Sequence, residues 1–486
     1  MPDEFKMKKL EELRKLGVDP YPYSYGRNNY AEEVKEKFGM MEGKEASIAG
    51  RAIRLRNMGK LFFIDLLDET GIIQVLAKPD STDELSMKIL KLSDMGDILG
   101  VSGKVVKTQR GEKSIEAKRV TMLSKSVLSF PEKFHGLTDI EARYRKRYLD
   151  LIMNPDVRRT FRARTQIVNV IREYLNKRGF MEVETPVLQP VYGGANAKPF
   201  VTHHNYLKSD FYLRIANELY LKRLVIGGFG KVYEFSKDFR NEDVDSTHNP
   251  EFTQVEIYEA YSDYEKFARM TEEIFRDISQ SLYKSNKILY KEKEIHFDSF
   301  KKIYLVEEIK KRAGYEVAEL TDNEALKIAE KEKLAVQAKN AYHVVDALFD
   351  KYIKDDLDQP TLVMDFPAFM CPLVKDKRGN PKLSERFEVF VAGLEVANCY
   401  SELTDPIEQR RKFEEQNAER RKGDEEMPPP DEDFLEAMEY GMPPTAGIGI
   451  SIDRLAMIFT NNISIKETIL FPSVRPEAAH AEKGKK

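Results

Sequence analysis

The chain has 486 residues, enough for more than one domain with its own core, and 78 basic against 82 acidic residues give it a formal net charge of −4 at pH 7. That balance excludes a uniformly basic nucleic-acid binder, so any RNA contact must come from local patches. Two cysteines, Cys371 and Cys399, cannot build a disulfide framework, no His/Cys cluster has zinc spacing, and no apolar run approaches the roughly 20 residues that cross a bilayer, so the expectation is a soluble, untargeted cytoplasmic protein with no membrane attachment.

Residues 1–45 read as a helical arm: Met7, Leu10 and Leu13 have helical spacing, and Gly17, Pro20 and Pro22 stop it. The pattern then changes to short strands at 48–55, 61–67, 72–76, 98–106 and 114–122, with a helical 83–91 after the third. Five strands with that helix predict a small Greek-key barrel of the OB type over 46–130. Residues 131–160 read as a linker that contains a basic helix at 141–151, with Arg143, Arg145, Lys146 and Arg147 continued at Arg158. It suits a solvated face or an RNA contact equally well.

A long helix is predicted at 161–178, with Ile167, Ile171, Tyr174 and Leu175 on one side and Gly179 as its stop, followed by a strand 180–186 that ends in Pro186. Strands at 231–239 and 252–258 form a hairpin around the loop 241–250. Within its two arms Arg240 and Glu242, and then Glu256 and Tyr258, differ by even numbers and share a face, which is polar and charged.

Helix 262–283 follows, and the Lys/Glu-rich stretch 284–360, with helices at 306–313 and 321–338, reads as an insertion packed on the core of the second domain, to which the sequence assigns no role. Strand character returns at 362–364, 387–391 and 394–400, and helices at 407–421 and 433–439. The run Gly447-Ile-Gly-Ile-Ser-Ile-Asp-Arg454 puts small residues at alternate positions, which flattens one face of a strand. Arg454 then stands where strand becomes helix, placed to meet a phosphate with a forked, permanent charge. The tail 477–486 is expected to fray.

Three of these stretches resemble the motifs of one family. Helix, strand and proline over 161–186 resemble motif 1 of the class II aminoacyl-tRNA synthetases. Phe239-Arg240-Asn241-Glu242 with the run Thr247 to Tyr258 resembles motif 2 in its lysyl form, and Gly447 to Arg454 resembles motif 3. The resemblance covers about residues 45–476 and implies an α+β chain: an OB-fold anticodon-binding barrel, then a class II catalytic domain at 161–476. That domain is expected to hold a six- or seven-stranded antiparallel sheet flanked by helices, and to form a homodimer through motif 1.

The implied substrates are ATP, L-lysine and tRNA(Lys). By motif match Arg240 binds the α-phosphate and the amino acid carboxylate, and Arg454 the γ-phosphate; both are the catalytic groups. Glu242, His248, Asn249, Gly449 and Glu388 match other ATP positions, and Phe252 the ring that stacks on adenine. Mg2+ is implied at Glu388 and Glu395. Gly194 and Glu218 match contacts to the α-amino group, Glu402 and Tyr258 contacts to the ε-ammonium, with Glu256, Asn398 and Tyr400 around them. Arg56, Phe63, Gln74 and Glu112 match anticodon readers.

The lysine assignment also has a physical argument. A buried ammonium loses much of its hydration, and a carboxylate about 4 Å away returns roughly 4 kcal/mol at an effective dielectric of 20. An aspartate pocket would need a cationic floor instead. Three departures from the family stand out: Ser451 at the third small position, expected to crowd the nucleotide slightly, and Ala392 and Cys399, expected to tighten the pocket floor. A lysine ligase that modifies an elongation factor would lack the barrel, and a non-enzymatic paralogue would lose the motif arginines.

Overall fold

A computed structural model describes residues 2–130, 137–336, 340–421 and 427–475; the linker residues 131–136 and the tail 477–486 lie outside the described residues. The chain divides into two compact units, Met1–Phe134 and His135–Lys486.

The first unit contains β1 (Glu45–Met58), β2 (Leu61–Leu67), β3 (Ile72–Ala77), β4 (Ile98–Lys107) and β5 (Lys113–Ser124), closed into a barrel in the order β1-β2-β3-β5-β4. Closure follows from the length of β1, whose first half pairs with β4 and second half with β2. Inward side chains recur every second residue, as with Ala46 and Ile48 on β1 and Phe62, Ile64 and Leu66 on β2. Helix α2 (Glu84–Leu92), capped by Asp83, buries Ile89 and Leu90 in the same core.

Ahead of the barrel α1 (Glu4–Lys15) buries Leu10 and Leu13 but exposes Met7. Lys6 is buried in its place, and its ammonium donates to the carbonyls of Met95 (3.2 Å) and Leu128 (2.8 Å).

The second unit is built on β6 (Met181–Glu182), β7 (Lys231–Phe239), β8 (Glu251–Ala260), β9 (Lys301–Tyr304), β10 (Thr361–Met364), β11 (Arg386–Val391), β12 (Leu394–Ser401) and β13 (Thr445–Ser451). They form one sheet in the order β9-β10-β11-β12-β13-β8-β7-β6. The strands from β10 to β7 are antiparallel to their neighbours, whereas β6 lies parallel to β7 and β9 parallel to β10. The sheet is therefore eight-stranded and mixed, not six- or seven-stranded and antiparallel. At the β9 edge the cause is the stretch 284–360: it supplies β9 and returns to β10 through helices, the crossover a parallel pair requires.

That stretch also carries α6 (Ala341–Tyr352), capped by Asn340, which the sequence reading missed; the helix expected at 321–338 stops at Glu332. The basic helix at 141–151 is broken into Ile140–Arg145 and Arg147–Met153. The segment is not simply a solvated face: Arg147 is buried against Asp150 and donates to the carbonyls of Leu470 (3.1 Å) and Lys466 (2.9 Å), and Arg143 reaches Asp150 (2.8 Å) and Glu467 (2.9 Å). These arginines fasten the segment to 466–470.

One face of the sheet is apolar. Val255 and Ile257 of β8, Ile448 and Ile450 of β13, and Phe387 and Val389 of β11 pack on α3 (Val157–Lys177), α5 (Tyr264–Tyr283) and α7 (Ile452–Phe459). Each such side chain stabilises the fold by about 1.5–3 kcal/mol. The period of two then turns the intervening residues to the opposite face, where the site lies.

Candidate active site

A cavity of about 630 Å³ opens on that opposite face. Phe252, Gln254, Glu256 and Tyr258 reach it from β8, Gly447, Gly449 and Ser451 from β13, Asn398 and Tyr400 from β12, and Arg386 and Glu388 from β11. Glu218, at the start of α4 (Glu218–Ile226), closes one end with Gly194; Tyr342, Asp346 and Phe349 of α6 close another part of the wall. Part of the stretch 284–360, to which the sequence assigned no role, thus lines the cavity.

The small residues of β13 serve the protein's own side chains. A Cβ on Gly447 would fall 2.3 Å from Tyr258 Cε1 and 2.4 Å from Glu402 Oε1, and one on Gly449 would fall 2.4 Å from Glu256 Oε1. Gly447 is required by close approach, where even one methyl has no room.

The floor is acidic and dry. Glu218, Glu256 and Glu402 are buried, and among them lies the fully buried Lys222, one turn after Glu218 on α4. Its Nζ is 2.5 Å from Glu218 Oε1 and 2.5 Å from Glu402 Oε2. Burial pushes the Glu402 carboxyl up to about 8, and Lys222 pulls against that rise. Burial and the neighbouring Glu218 also hold the Glu256 carboxyl well above its usual range. Tyr258 donates to Glu256 (3.2 Å), and Asn398 to the Tyr400 hydroxyl (2.9 Å). Glu402 is fully buried at the edge of the cavity, its Oε1 beside the position that a Cβ on Gly447 would take and without a hydrogen-bond partner.

The far end is cationic. The Arg240 guanidinium lies 5.0 Å from the Phe252 ring, and its Nε is buried without a partner. Arg454 donates to the Glu395 carbonyl (2.8 Å), reaches the Glu395 carboxylate (3.5 Å) and meets His248 Nε2 (3.2 Å). Asp245 holds the other His248 nitrogen (2.9 Å). Asn249 lines the cavity but spends its amide on the Glu251 carbonyl (2.6 Å) and the Ser473 amide (3.2 Å), pinning the loop. Glu242 is exposed at the cavity rim.

Glu388 is ion-paired with Arg386, and burial with its acidic neighbours Glu395 and Asp346 pushes its carboxyl up to about 8. Among the described residues no group of three or more His, Cys, Asp or Glu forms a ready-made metal site. Two carboxylates on one wall still fit Mg2+, which takes one or two carboxylates and completes its shell with water and substrate phosphate.

Of the three family departures, Ser451 lies on the cavity face as expected, whereas Ala392 and Cys399 lie away from the floor. Ser451 accepts a hydrogen bond from the Arg454 amide (3.3 Å) and caps α7. Ala392 has φ +51° in the two-residue turn between β11 and β12, a position that Gly393 at +74° shares, and Cys399 points into the apolar core on the far side of the sheet. Neither narrows the floor. Burial raises the Cys399 thiol well above its usual range, as befits a filler and not a nucleophile.

Sequence reasoning missed Lys222, Asp245, Asp346 and Arg386. Lys222 left a local trace in its i, i+4 spacing from Glu218 on a helix, and Asp245 and Arg386 stand three and two residues from their partners His248 and Glu388.

On the barrel of the first unit, Arg56 and Phe63 are cross-strand partners with the guanidinium 5.7 Å from the ring, and Phe62 faces inward. Gln74 accepts from Ser114 (3.2 Å), two residues beyond the exposed Glu112. Asp65, unnoticed in the sequence, ion-pairs with Arg54 (3.4 Å) and Arg56 (4.0 Å) in the same row.

Residues 46–123 match the family model for the OB-fold nucleic acid binding domain, and residues 139–475 that for tRNA synthetases class II (D, K and N). A lysine–tRNA ligase of Thermoanaerobacter pseudethanolicus is 46% identical over 476 residues, covering 97% of this chain and 95% of that protein. One from Clostridium perfringens is 46% identical over 479 residues (97% and 96%), and one from Staphylococcus epidermidis 43% over 484 (97% and 98%). With most of its length matched by the synthetase model and nearly all of it by these relatives, the chain belongs to the class II tRNA synthetases of the D, K and N group.

Proposed function

We infer that this chain is a lysine–tRNA ligase: it joins L-lysine to ATP as lysyl-adenylate, releasing pyrophosphate, and passes the lysyl group to the 3′ end of tRNA(Lys), releasing AMP. The observation that carries lysine over the other two amino acids of the group is the buried acidic floor at Glu218, Glu256 and Glu402. A β-carboxylate would meet like charge there, and a neutral amide would leave Glu402 Oε1 without a cation.

A carboxylate is already a nucleophile at neutral pH, so the first step needs alignment and charge neutralisation more than a base. Arg240, beside Phe252, holds the lysine carboxylate against the α-phosphate while the bond to pyrophosphate breaks. Arg454, braced by Glu395 and His248, takes the γ-phosphate. Phe252 stacks on adenine, with Glu242, Asn249 and Gly449 shaping that end. Gly194 and Glu218 take the α-amino group, and Tyr258 and Glu402 the ε-ammonium, with Asn398 and Tyr400 along the aliphatic stem. Glu388 and Glu395 would hold Mg2+, which supplies charge neutralisation for the departing pyrophosphate.

Arg56, Phe63, Gln74 and Glu112 read the anticodon on the barrel. The active form is a cytoplasmic homodimer joined through the helix and strand at 157–186. Glu402→Gln tests the amino acid assignment: lysine KM rises about tenfold or more while ATP KM stays within about twofold. An unchanged lysine KM would remove Glu402 from recognition.

A further inference from the structure

The pocket contains an ammonium of its own. Lys222 is fully buried on α4, and its Nζ touches one oxygen of Glu218 and one of Glu402. The remaining oxygens face the other way. Glu218 Oε2 lies 3.7 Å from the position of a Cβ on Gly194, and Glu402 Oε1 lies 2.4 Å from that of a Cβ on Gly447; both glycines line the cavity. One buried cation therefore divides two carboxylates in the same way, drawing one oxygen of each inward and leaving the other toward the ligand.

Charge complementarity agrees. Lys222 is shared between the buried carboxylates of Glu218 and Glu402, one cation between two anions. Lysine brings two ammonium groups to that pair, and its carboxylate has Arg240. Without Lys222 the two carboxylates lose the cation that they share.

We propose that Lys222 is a positioning residue for lysine recognition, fixing Glu218 and Glu402 in the rotamers that receive the α- and ε-ammonium groups. This rests on the reading of lysine as the substrate. The titratable groups around Glu402 are Lys222 and Glu218 from α4, Glu256 and Tyr258 from β8, and Lys375, with Cys399 on the opposite face of β12. Binding needs the ionised carboxylate, so lysine affinity falls as pH drops through its raised pKa. Removing the nearest cation raises that pKa further and moves the acidic limb to higher pH.

The test is ATP–pyrophosphate exchange by the intact chain with Lys222→Met, and with Lys222→Gln should the first variant not fold. The expected result is a rise in lysine KM of about tenfold or more, an ATP KM within about twofold, and an acidic limb of kcat/KM for lysine shifted up by about one pH unit. A lysine KM that does not change, or that rises equally with ATP KM over an unshifted limb, overturns the proposal. Wild-type exchange that lysine fails to drive overturns instead the substrate reading beneath it.

Discussion

Arg454 Nη2 lies 3.2 Å from His248 Nε2, and because a guanidinium only donates, that ring nitrogen must accept. The ring proton therefore sits on Nδ1, which donates to Asp245 Oδ2 at 2.9 Å. His248, carried by the hairpin loop, thus braces the arginine in the first turn of α7.

This arrangement predicts that His248→Ala loosens Arg454 and raises ATP KM about tenfold in pyrophosphate exchange, with lysine KM within about twofold. Arg454→Ala removes the charge itself, and adenylate formation falls about 10²–10³-fold. Equal losses for both substrates would place the pair in folding and not in ATP binding.

Gly447→Ala drives a methyl into Tyr258 and Glu402. Lysine affinity by titration calorimetry should drop about tenfold or more, with ATP affinity retained, because the clash lies at the floor and overpacking costs about 1–3 kcal/mol. Undiminished lysine binding would show that the floor yields freely.

Asp68 supports the first unit through its carboxylate, which accepts from the amides of Ala31 (2.7 Å), Thr70 (2.7 Å) and Gly71 (2.9 Å) and from the Thr70 hydroxyl (2.7 Å). Burial pushes its pKa up, yet these donors outweigh burial and hold it below the ordinary value. A depressed pKa contributes stability present above the unfolded value of about 3.9 and lost as pH falls through the folded one. Asp68→Asn should cost about 1.5–3 kcal/mol at pH 7 by calorimetry, a difference that shrinks below pH 4. A constant difference across pH would contradict the charge argument.

The hairpin Lys231–Ala260 and the strand that leads into the helix of Arg454 were legible because period-two patterning and motif spacing are local properties. The ion pairs were not. Lys222 meets Glu402 180 positions away, and Asp453 joins the Thr253 amide (2.6 Å) to Arg164 (2.7 Å) only once three elements have packed. Helix α6 was hidden by the surrounding Lys/Glu-rich stretch, although Asn340 as its cap and Val344, Val345 and Leu348 as its buried side were visible in principle. The same limit applies to Cys399, whose side of the sheet follows from register and not from the composition around it.

Phe63→Ala, on the barrel, removes a stacking ring worth about 1–3 kcal/mol per base. Aminoacylation of tRNA(Lys) should fall through a raised tRNA KM, while exchange, which needs no tRNA, stays at the wild-type rate. Loss of both would assign Phe63 to the core.

The central claim is that an acidic floor selects lysine, and a panel of amino acids in ATP–pyrophosphate exchange tests it most directly. Lysine should drive exchange, with aspartate and asparagine at background. Exchange driven by aspartate or asparagine, with lysine silent, would contradict it.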